Sequence, residues 1–348
     1  MSQYRVALSS DFIKPDGSPA YPMFDLGPLK NNAQIDCQFL KGTGDIDPEE
    51  IADYDALILL IHRFTANSVP ANRRLAVIAR FGVGYDTVDV NACNNAGIAL
   101  AITPDGVRRP VAVAVLTFIL ALTGKLFEKD RLTRMGPPGW SKRADYMGIG
   151  LVGKTLGILG LGNIGAEIVR ITKPLDFKFI ADDPYVNPQM ARELGVEMVS
   201  VEDLFRRSDI LSVNCLLNDE TRHIVNAQRL ALMKPTAYLI NTARGPVVDE
   251  PALIEVLQER RIAGAGLDVF EQEPSSADNP LFQLDNVIVA PHALCWTGEC
   301  FAGNGAADIR AVLDVMHGRK PTGIVNKAVL ENPAWLAKLE NFKTRFGG

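Results

Sequence analysis

Cysteine, long apolar runs and blocks of like charge are what this chain of 348 residues has little of. Its five cysteines, Cys37, Cys93, Cys215, Cys295 and Cys300, include no CxxC pair and no neighbouring histidine pattern. They give neither a disulfide framework nor a metal cage to read, so reduced thiols and no bound metal are expected. The most apolar stretch, Val111 to Leu122, is apolar except for Thr117. It falls short of the roughly 20 residues that a membrane span requires, and so reads as a buried helix. Thirty-six basic and 41 acidic residues give a net charge of −5, with the signs mixed along the sequence. That leaves no footprint for nucleic acid or an anionic membrane, and a small molecule is the expected partner. The opening MSQYRVALSSDF lacks the charged start and apolar stretch of a signal peptide, which makes the cytoplasm the expected location.

What is present is globular. The chain is 47% hydrophobic and 22% charged, and its length suits two domains of about 100–200 residues each. Short apolar runs at YRVAL, Ile35–Leu40, Ala56–Ile61, Leu75–Ile78 and Ile98–Ile102 alternate with polar or amphipathic segments. That is the rhythm of a parallel α/β sheet. Thr103-Pro104-Asp105-Gly106 reads as a turn, with the apolar helix starting soon after Pro110. Six further runs follow, at Thr155–Leu159, Phe177–Ala181, Ile210–Cys215, Ala237–Asn241, Gly264–Val269 and Val287–Ala290, enough for a complete Rossmann-type unit. Helical spacing returns over Cys300–His317, and Trp335, Leu336 and Leu339 in the tail 327–348 predict a docked amphipathic helix. The fold class expected is α/β, two Rossmann-like or flavodoxin-like domains with parallel sheets. A dinucleotide-binding domain over 105–299 is inserted into a substrate domain made of 1–104 and 300–348.

The pattern GxGxxG occurs twice, at Gly148–Gly153 and Gly160–Gly165. The first copy runs into Lys154-Thr155 rather than a helix and reads as a glycine-rich loop. The second follows the strand TLGIL and opens a helical pattern at Ala166, as dinucleotide binding requires. Gly160 permits the tight turn, Gly162 clears a path for pyrophosphate, and Gly165 lets helix and strand pack closely. About 20 residues on stand Asp182 and Asp183, one of which is expected to accept the ribose hydroxyls. Two adjacent carboxylates repel a 2′-phosphate, so the cofactor expected is NAD.

Three titratable or charged residues follow strands at what a parallel sheet makes its carboxyl edge, where ligands bind. Arg244 lies just past AYLIN, Glu273 past GLDVF, and His292 past VIVAP. A guanidinium can hold a carboxylate through two parallel hydrogen bonds. An imidazole can give a proton to a carbonyl oxygen as hydride arrives and take it back in reverse. A carboxylate beside the imidazole orients it.

The ordered segments GLGNIG, ADDPY, NTARGPVVDE, GLDVFEQEP and APHALCWTGE resemble the D-isomer-specific 2-hydroxyacid dehydrogenase family over roughly residues 50–325. The resemblance implies a flavodoxin-like substrate domain beside a Rossmann domain, a homodimer, and NAD(H)-dependent interconversion of a 2-oxo acid and a D-2-hydroxy acid. It implies His292 as acid/base, Glu273 as its orienting partner and Arg244 on the carboxylate and carbonyl. It places Gly160, Gly162, Asn163, Ile164, Gly165, Asp183, Cys215, Thr221, Thr242, Ala243 and Asp268 around NAD, with Asp268 by the nicotinamide amide. In that family the loop like Arg80–Asp86 offers backbone N–H groups to the substrate carboxylate, which marks Val83 and Gly84.

Departures bear on specificity. Ala112-Val113 stands where many relatives carry Ala-Glu, and Arg108 and Arg109 where smaller or acidic residues are usual. His62 and Arg63 follow the strand ALILLI, and the expectation is that they contact a polar or acidic substrate tail. The alternative in a different class is a non-enzymatic NAD-sensing, corepressor-like protein, since a corepressor family shares the fold and the triad.

Overall fold

The computed structural model describes residues 3–347, so Gly348 at the end of the expected tail helix lies outside them. The chain divides into two compact units, one of residues 1–107 with 296–348 and one of residues 108–295.

The first unit holds a parallel sheet of β1 (Tyr4–Leu8), β2 (Ile35–Phe39), β3 (Ala56–Leu59), β4 (Val77–Arg80) and β5 (Ala99–Ile102). Its order is β2-β1-β3-β4-β5, the flavodoxin-like arrangement. β3 is buried throughout, as expected of a strand covered on both faces. The helix Pro333–Phe346 docks here. Trp335 is fully buried and its indole N–H donates to Ala76 O at 3.0 Å, while Phe342 and Phe346 meet Tyr4 edge-on. Lys338 Nζ donates to the carbonyls of Leu75, Ala96 and Gly97 at 2.7, 3.0 and 2.8 Å. The last two belong to the C-terminal end of the helix Val90–Ala96, where backbone carbonyls lack partners and a cation is favoured.

The second unit holds β6 (Thr155–Leu159), β7 (Lys178–Asp182), β8 (Glu197–Met198), β9 (Ile210–Val213), β10 (Tyr238–Asn241), β11 (Gly264–Leu267) and β12 (Val287–Val289). All pairs are parallel, in the order β12-β11-β10-β9-β6-β7-β8. This is the doubly wound order with one strand added at the β12 edge, and it reverses direction at β6, where dinucleotides bind.

The apolar helix differs from its sequence reading. It spans Pro104–Gly124, 21 residues, with Pro110 inside it. Pro104, its first residue, is tolerated because the missing N–H lacks an intrahelical partner there anyway, so the Thr103–Gly106 segment starts a helix rather than forming a turn, and the helix runs on past Pro110, its seventh residue. By length and composition this helix could cross a membrane, yet 67% of its most apolar window is buried. Ala112, Val115, Phe118, Ile119 and Leu122 pack into a core with Leu156, Ile158 and Ile240.

Candidate active site

Gly160 leaves β6 at φ +94°, and a side chain there would meet Cys215 N at 2.7 Å. Only glycine takes that conformation without cost. Gly162 caps the helix Asn163–Thr172, and nothing in the protein lies within 4 Å of where its side chain would project. The first turn of that helix presents unpaired N–H groups, a natural seat for phosphate. Two strands along the sheet, past β10, Thr242 Oγ1 is buried without a hydrogen-bond partner. A cleared path at Gly162 and an orphaned hydroxyl at Thr242 both suit a bound dinucleotide. Gly148–Gly153, by contrast, is irregular chain leading into β6.

Asp182 ends β7 and Asp183 follows it. Asp183 accepts the N–H of Tyr185 at 2.9 Å. Burial, then the charges of Asp183 and Glu202, hold the Asp182 carboxyl above the ordinary value, against the pull of Arg229. Cys215 and Thr221 flank the loop after β9, where Thr221 Oγ1 donates to Leu216 O at 2.5 Å.

The chemistry-bearing residues of this unit follow β10, β11 and β12. Asn241 shapes the first loop, accepting from Ala243 N–H and donating to Arg244 O, both at 3.0 Å. Arg244 Nη1 reaches Ala243 O at 2.7 Å. At Gly245 any side chain would run into the backbone of Phe270 and Glu271, so the two loops meet through bare backbone. That contact fixes the loop of Arg244 against the loop of Glu273.

His292 Nδ1 and Glu273 Oε2 are 2.7 Å apart. The other carboxylate oxygen, Oε1, accepts the N–H of Phe270 at 3.0 Å. Burial raises the Glu273 carboxyl, but the bond from His292, its charge, the Phe270 N–H and Arg244 outweigh it and leave the group below its ordinary value. With Nδ1 engaged, Nε2 is the nitrogen left to face a substrate, and 43% of the side chain is exposed. His292 sits at φ +53°, a left-handed conformation costing a non-glycine residue about 1–2 kcal/mol. Strain of this kind persists only where surrounding contacts impose it. The buried Asp268 supplies them, accepting the N–H groups of Ala293 at 3.0 Å and Leu294 at 3.1 and 3.2 Å.

Residues 116–293 match the model of the D-isomer specific 2-hydroxyacid dehydrogenases, NAD binding domain. The chain belongs to this family. It is therefore an NAD-dependent oxidoreductase that interconverts 2-oxo and 2-hydroxy acids. It is 37% identical over 289 residues to the glyoxylate reductase of Thermococcus onnurineus, covering 81% of this chain and 86% of that one. It is 36% identical to the D-3-phosphoglycerate dehydrogenase of Methanocaldococcus jannaschii, over 80% of this chain and 53% of that longer one. The crystal structure of a glyoxylate reductase from Paecilomyes thermophila superposes with a TM-score of 0.79 at 25% identity, over 93% and 99% of the two chains.

Val83 and Gly84 belong to the dehydrogenase's other compact unit, just past β4. Their loop is fixed at Gly82, whose N–H donates to Thr103 Oγ1 at 2.8 Å, while Thr103 Oγ1 in turn donates to Asn304 Oδ1 at 2.8 Å. His62, past β3, is engaged locally, with Nε2 3.0 Å from Ser10 Oγ and Nδ1 2.8 Å from Gly44 O. Arg63 is exposed and lies 3.8 Å from Asp45.

Two further arrangements escaped the sequence reading. His223 Nε2 and Glu271 Oε1 form a second histidine–carboxylate pair, at 2.6 Å. Here the carboxylate is tied into a loop staple, since the N–H of Glu271 donates to Glu250 and that of Glu250 to Glu271. The two unusual arginines also find a partner. Arg109 and Arg170 lie 2.8 and 3.2 Å from Glu167, with Arg108 at 3.9 Å, and Glu167 is buried on the dinucleotide helix.

Proposed function

We propose that Arg244, Glu273 and His292 carry the proton transfer and substrate anchoring of a D-2-hydroxyacid dehydrogenase, with NAD(H) held by Gly160–Gly165, Asp183, Cys215, Thr221, Thr242, Ala243 and Asp268. The observation that carries this reading is the 2.7 Å His292–Glu273 contact beyond β11 and β12, with the loop of Arg244 after β10 packed backbone to backbone against the loop of Glu273. Bound NADH supplies the hydride for the carbonyl carbon. His292 delivers a proton from Nε2 to the carbonyl oxygen and recovers it in the reverse direction. Glu273 fixes the ring through Nδ1 and stabilises the imidazolium. Arg244 grips the substrate carboxylate and stabilises charge developing on the carbonyl oxygen. The loop of Val83 and Gly84 offers N–H groups to that carboxylate.

The His292→Ala variant tests the assignment. The expected result is a kcat lower by roughly 10²–10⁴-fold, the usual contribution of a positioned acid/base, with NADH affinity nearly unchanged. Turnover close to wild type removes His292 from the reaction.

The working form proposed is a homodimer. Val113 and Leu120 on the outer face of the helix Pro104–Gly124, and Leu126, Phe127, Trp140, Met147 and Val152 after it, are 46–77% exposed. With Met135, 49% exposed, that makes eight large apolar side chains within one 40-residue stretch, which supports burial by a second copy.

A further inference from the structure

Between the strand ends of the five-stranded sheet lies an aromatic cluster that the proton-transfer reading does not use. Phe12 follows β1 and Phe81 immediately follows β4, their rings 5.3 Å apart. Both are buried, as is Phe301, which lies 5.2 Å from Phe81. On this base rest two outer rings. Tyr21 stacks on Phe301 at 4.2 Å, and Trp296 stands edge-on to Tyr21 at 5.5 Å and to Phe301 at 5.4 Å. Trp296 is 40% exposed and Ile61, just past β3, is 57% exposed. A rigid aromatic base with a wetted apolar outer surface thus stands at the carboxyl edge of the parallel sheet, the edge where ligands bind.

Chain continuity ties this surface to the substrate. Phe81 precedes Val83 by two residues in the loop proposed for the carboxylate, and Trp296 follows His292 by four. A 2-oxo acid has three substituents on or beside its carbonyl carbon to be recognised. The carboxylate and the carbonyl oxygen are assigned to Val83, Gly84, Arg244 and His292. The third substituent is a hydrogen in glyoxylate, which would leave an aromatic wall without work. We infer, on the basis of the function proposed above, that Trp296 and Tyr21 determine specificity by receiving this third substituent, and that the preferred substrates are 2-oxo acids with a bulky apolar or aromatic side chain. Of the two polar residues after β3, His62 is held by Ser10 and Gly44, and Arg63 lies exposed 3.8 Å from Asp45. Flat apolar rings bind apolar side chains through desolvation and dispersion, and each added methylene in such a pocket alters kcat/KM by roughly tenfold or more.

The test is kcat/KM with NADH across glyoxylate, hydroxypyruvate, oxaloacetate, 4-methyl-2-oxopentanoate and phenylpyruvate, for the wild type, Trp296→Ala and Trp296→Phe. Phenylpyruvate or 4-methyl-2-oxopentanoate is expected to exceed glyoxylate by about tenfold or more. Trp296→Ala should reduce that ratio about tenfold, and Trp296→Phe, which keeps a flat ring, should preserve most of it. A preference for glyoxylate, hydroxypyruvate or oxaloacetate overturns the inference, as does a ratio unmoved in Trp296→Ala, while leaving the dehydrogenase reading intact. Silence on all five acids with NADH still bound removes the proposed residue roles and the inference with them.

Discussion

Replacing Asp268 by alanine probes the device that holds His292 in its strained conformation. The carboxylate is 3% exposed and accepts two backbone N–H groups, those of Ala293 and Leu294. Leaving a buried N–H unsatisfied costs about 1–3 kcal/mol. Against this stands the expense of burying the carboxylate itself, for burial is the largest influence on Asp268 and raises its pKa despite the two N–H groups and His292. Removing the side chain recovers part of that, so the net loss should be about 2 kcal/mol. The left-handed backbone at His292 adds a driving force of about 1–2 kcal/mol toward a relaxed loop. Once Asp268 no longer opposes it, a change of about 2 kcal/mol reduces the population with His292 in place by roughly 30-fold, at tenfold per 1.4 kcal/mol. The expected outcome in Asp268→Ala is therefore a kcat about 30-fold lower and a melting temperature lower by about 4–8 °C, since 1 kcal/mol shifts Tm by about 2–4 °C in a unit of this size. Asp268→Asn keeps one acceptor oxygen and should lose less on both counts. Steady-state NADH oxidation and calorimetry read the two quantities. A Tm loss with wild-type kcat refutes the reasoning, because the loop would then hold its shape without Asp268.

Other consequences are open to measurement. Gly162→Val should raise the NADH dissociation constant by about 100-fold or more, since the side chain enters the path assigned to pyrophosphate, while Tm stays unchanged because nothing lies within 4 Å; a normal affinity contradicts it. Glu273 has a folded pKa below its ordinary 4.5, so its pairing stabilises the fold above that value and is lost as pH falls through the folded pKa. The Tm gap between wild type and Glu273→Gln should therefore be full at neutral pH and close in acid. Burial pushes the Lys338 ammonium down to about 8, with Arg73 adding to the effect. Between that pH and 10.5 the unfolded chain binds the extra proton, so the wild type should gain stability over Lys338→Met as pH rises through this window; a constant difference would refute it. Leu120→Asp with Phe127→Asp should turn a dimer into a monomer in light scattering, and an unaltered mass would place the interface elsewhere.

Much of this architecture was legible because buried parallel strands are short apolar runs set between helices. The order of runs from YRVAL to VIVAP foretold eleven of the twelve described strands. The two-residue β8 carried no signal, for Glu197 and Met198 are both exposed at a sheet edge. The long helix was read too short because Pro104 and Pro110 look like breakers, whereas Pro104 is its first residue and the helix continues through Pro110, its seventh. Arg244, Glu273 and His292 could be picked out because each follows a strand whose direction the fold fixes. The staple of His223, Glu271 and Glu250 could not, since it joins loops 48 and 21 positions apart without any periodic pattern. Glu167 carries no mark in the sequence that sets it apart, and only the fold shows it buried beside Arg109 and Arg170.

The indole of Trp335 reaches Ala76 across 259 positions of chain. A ribosome making this protein therefore completes the strands of the first sheet long before the residue that seals it exists. The second unit, continuous from 108 to 295, has all its parts in hand while the first still lacks its closing helix. Assembly thus has a built-in order, with the inserted unit able to mature first. For that interval the carbonyls of Leu75 and Ala76, just before β4, and of Ala96 and Gly97, at the end of the helix Val90–Ala96, wait for partners that only the last stretch of chain brings.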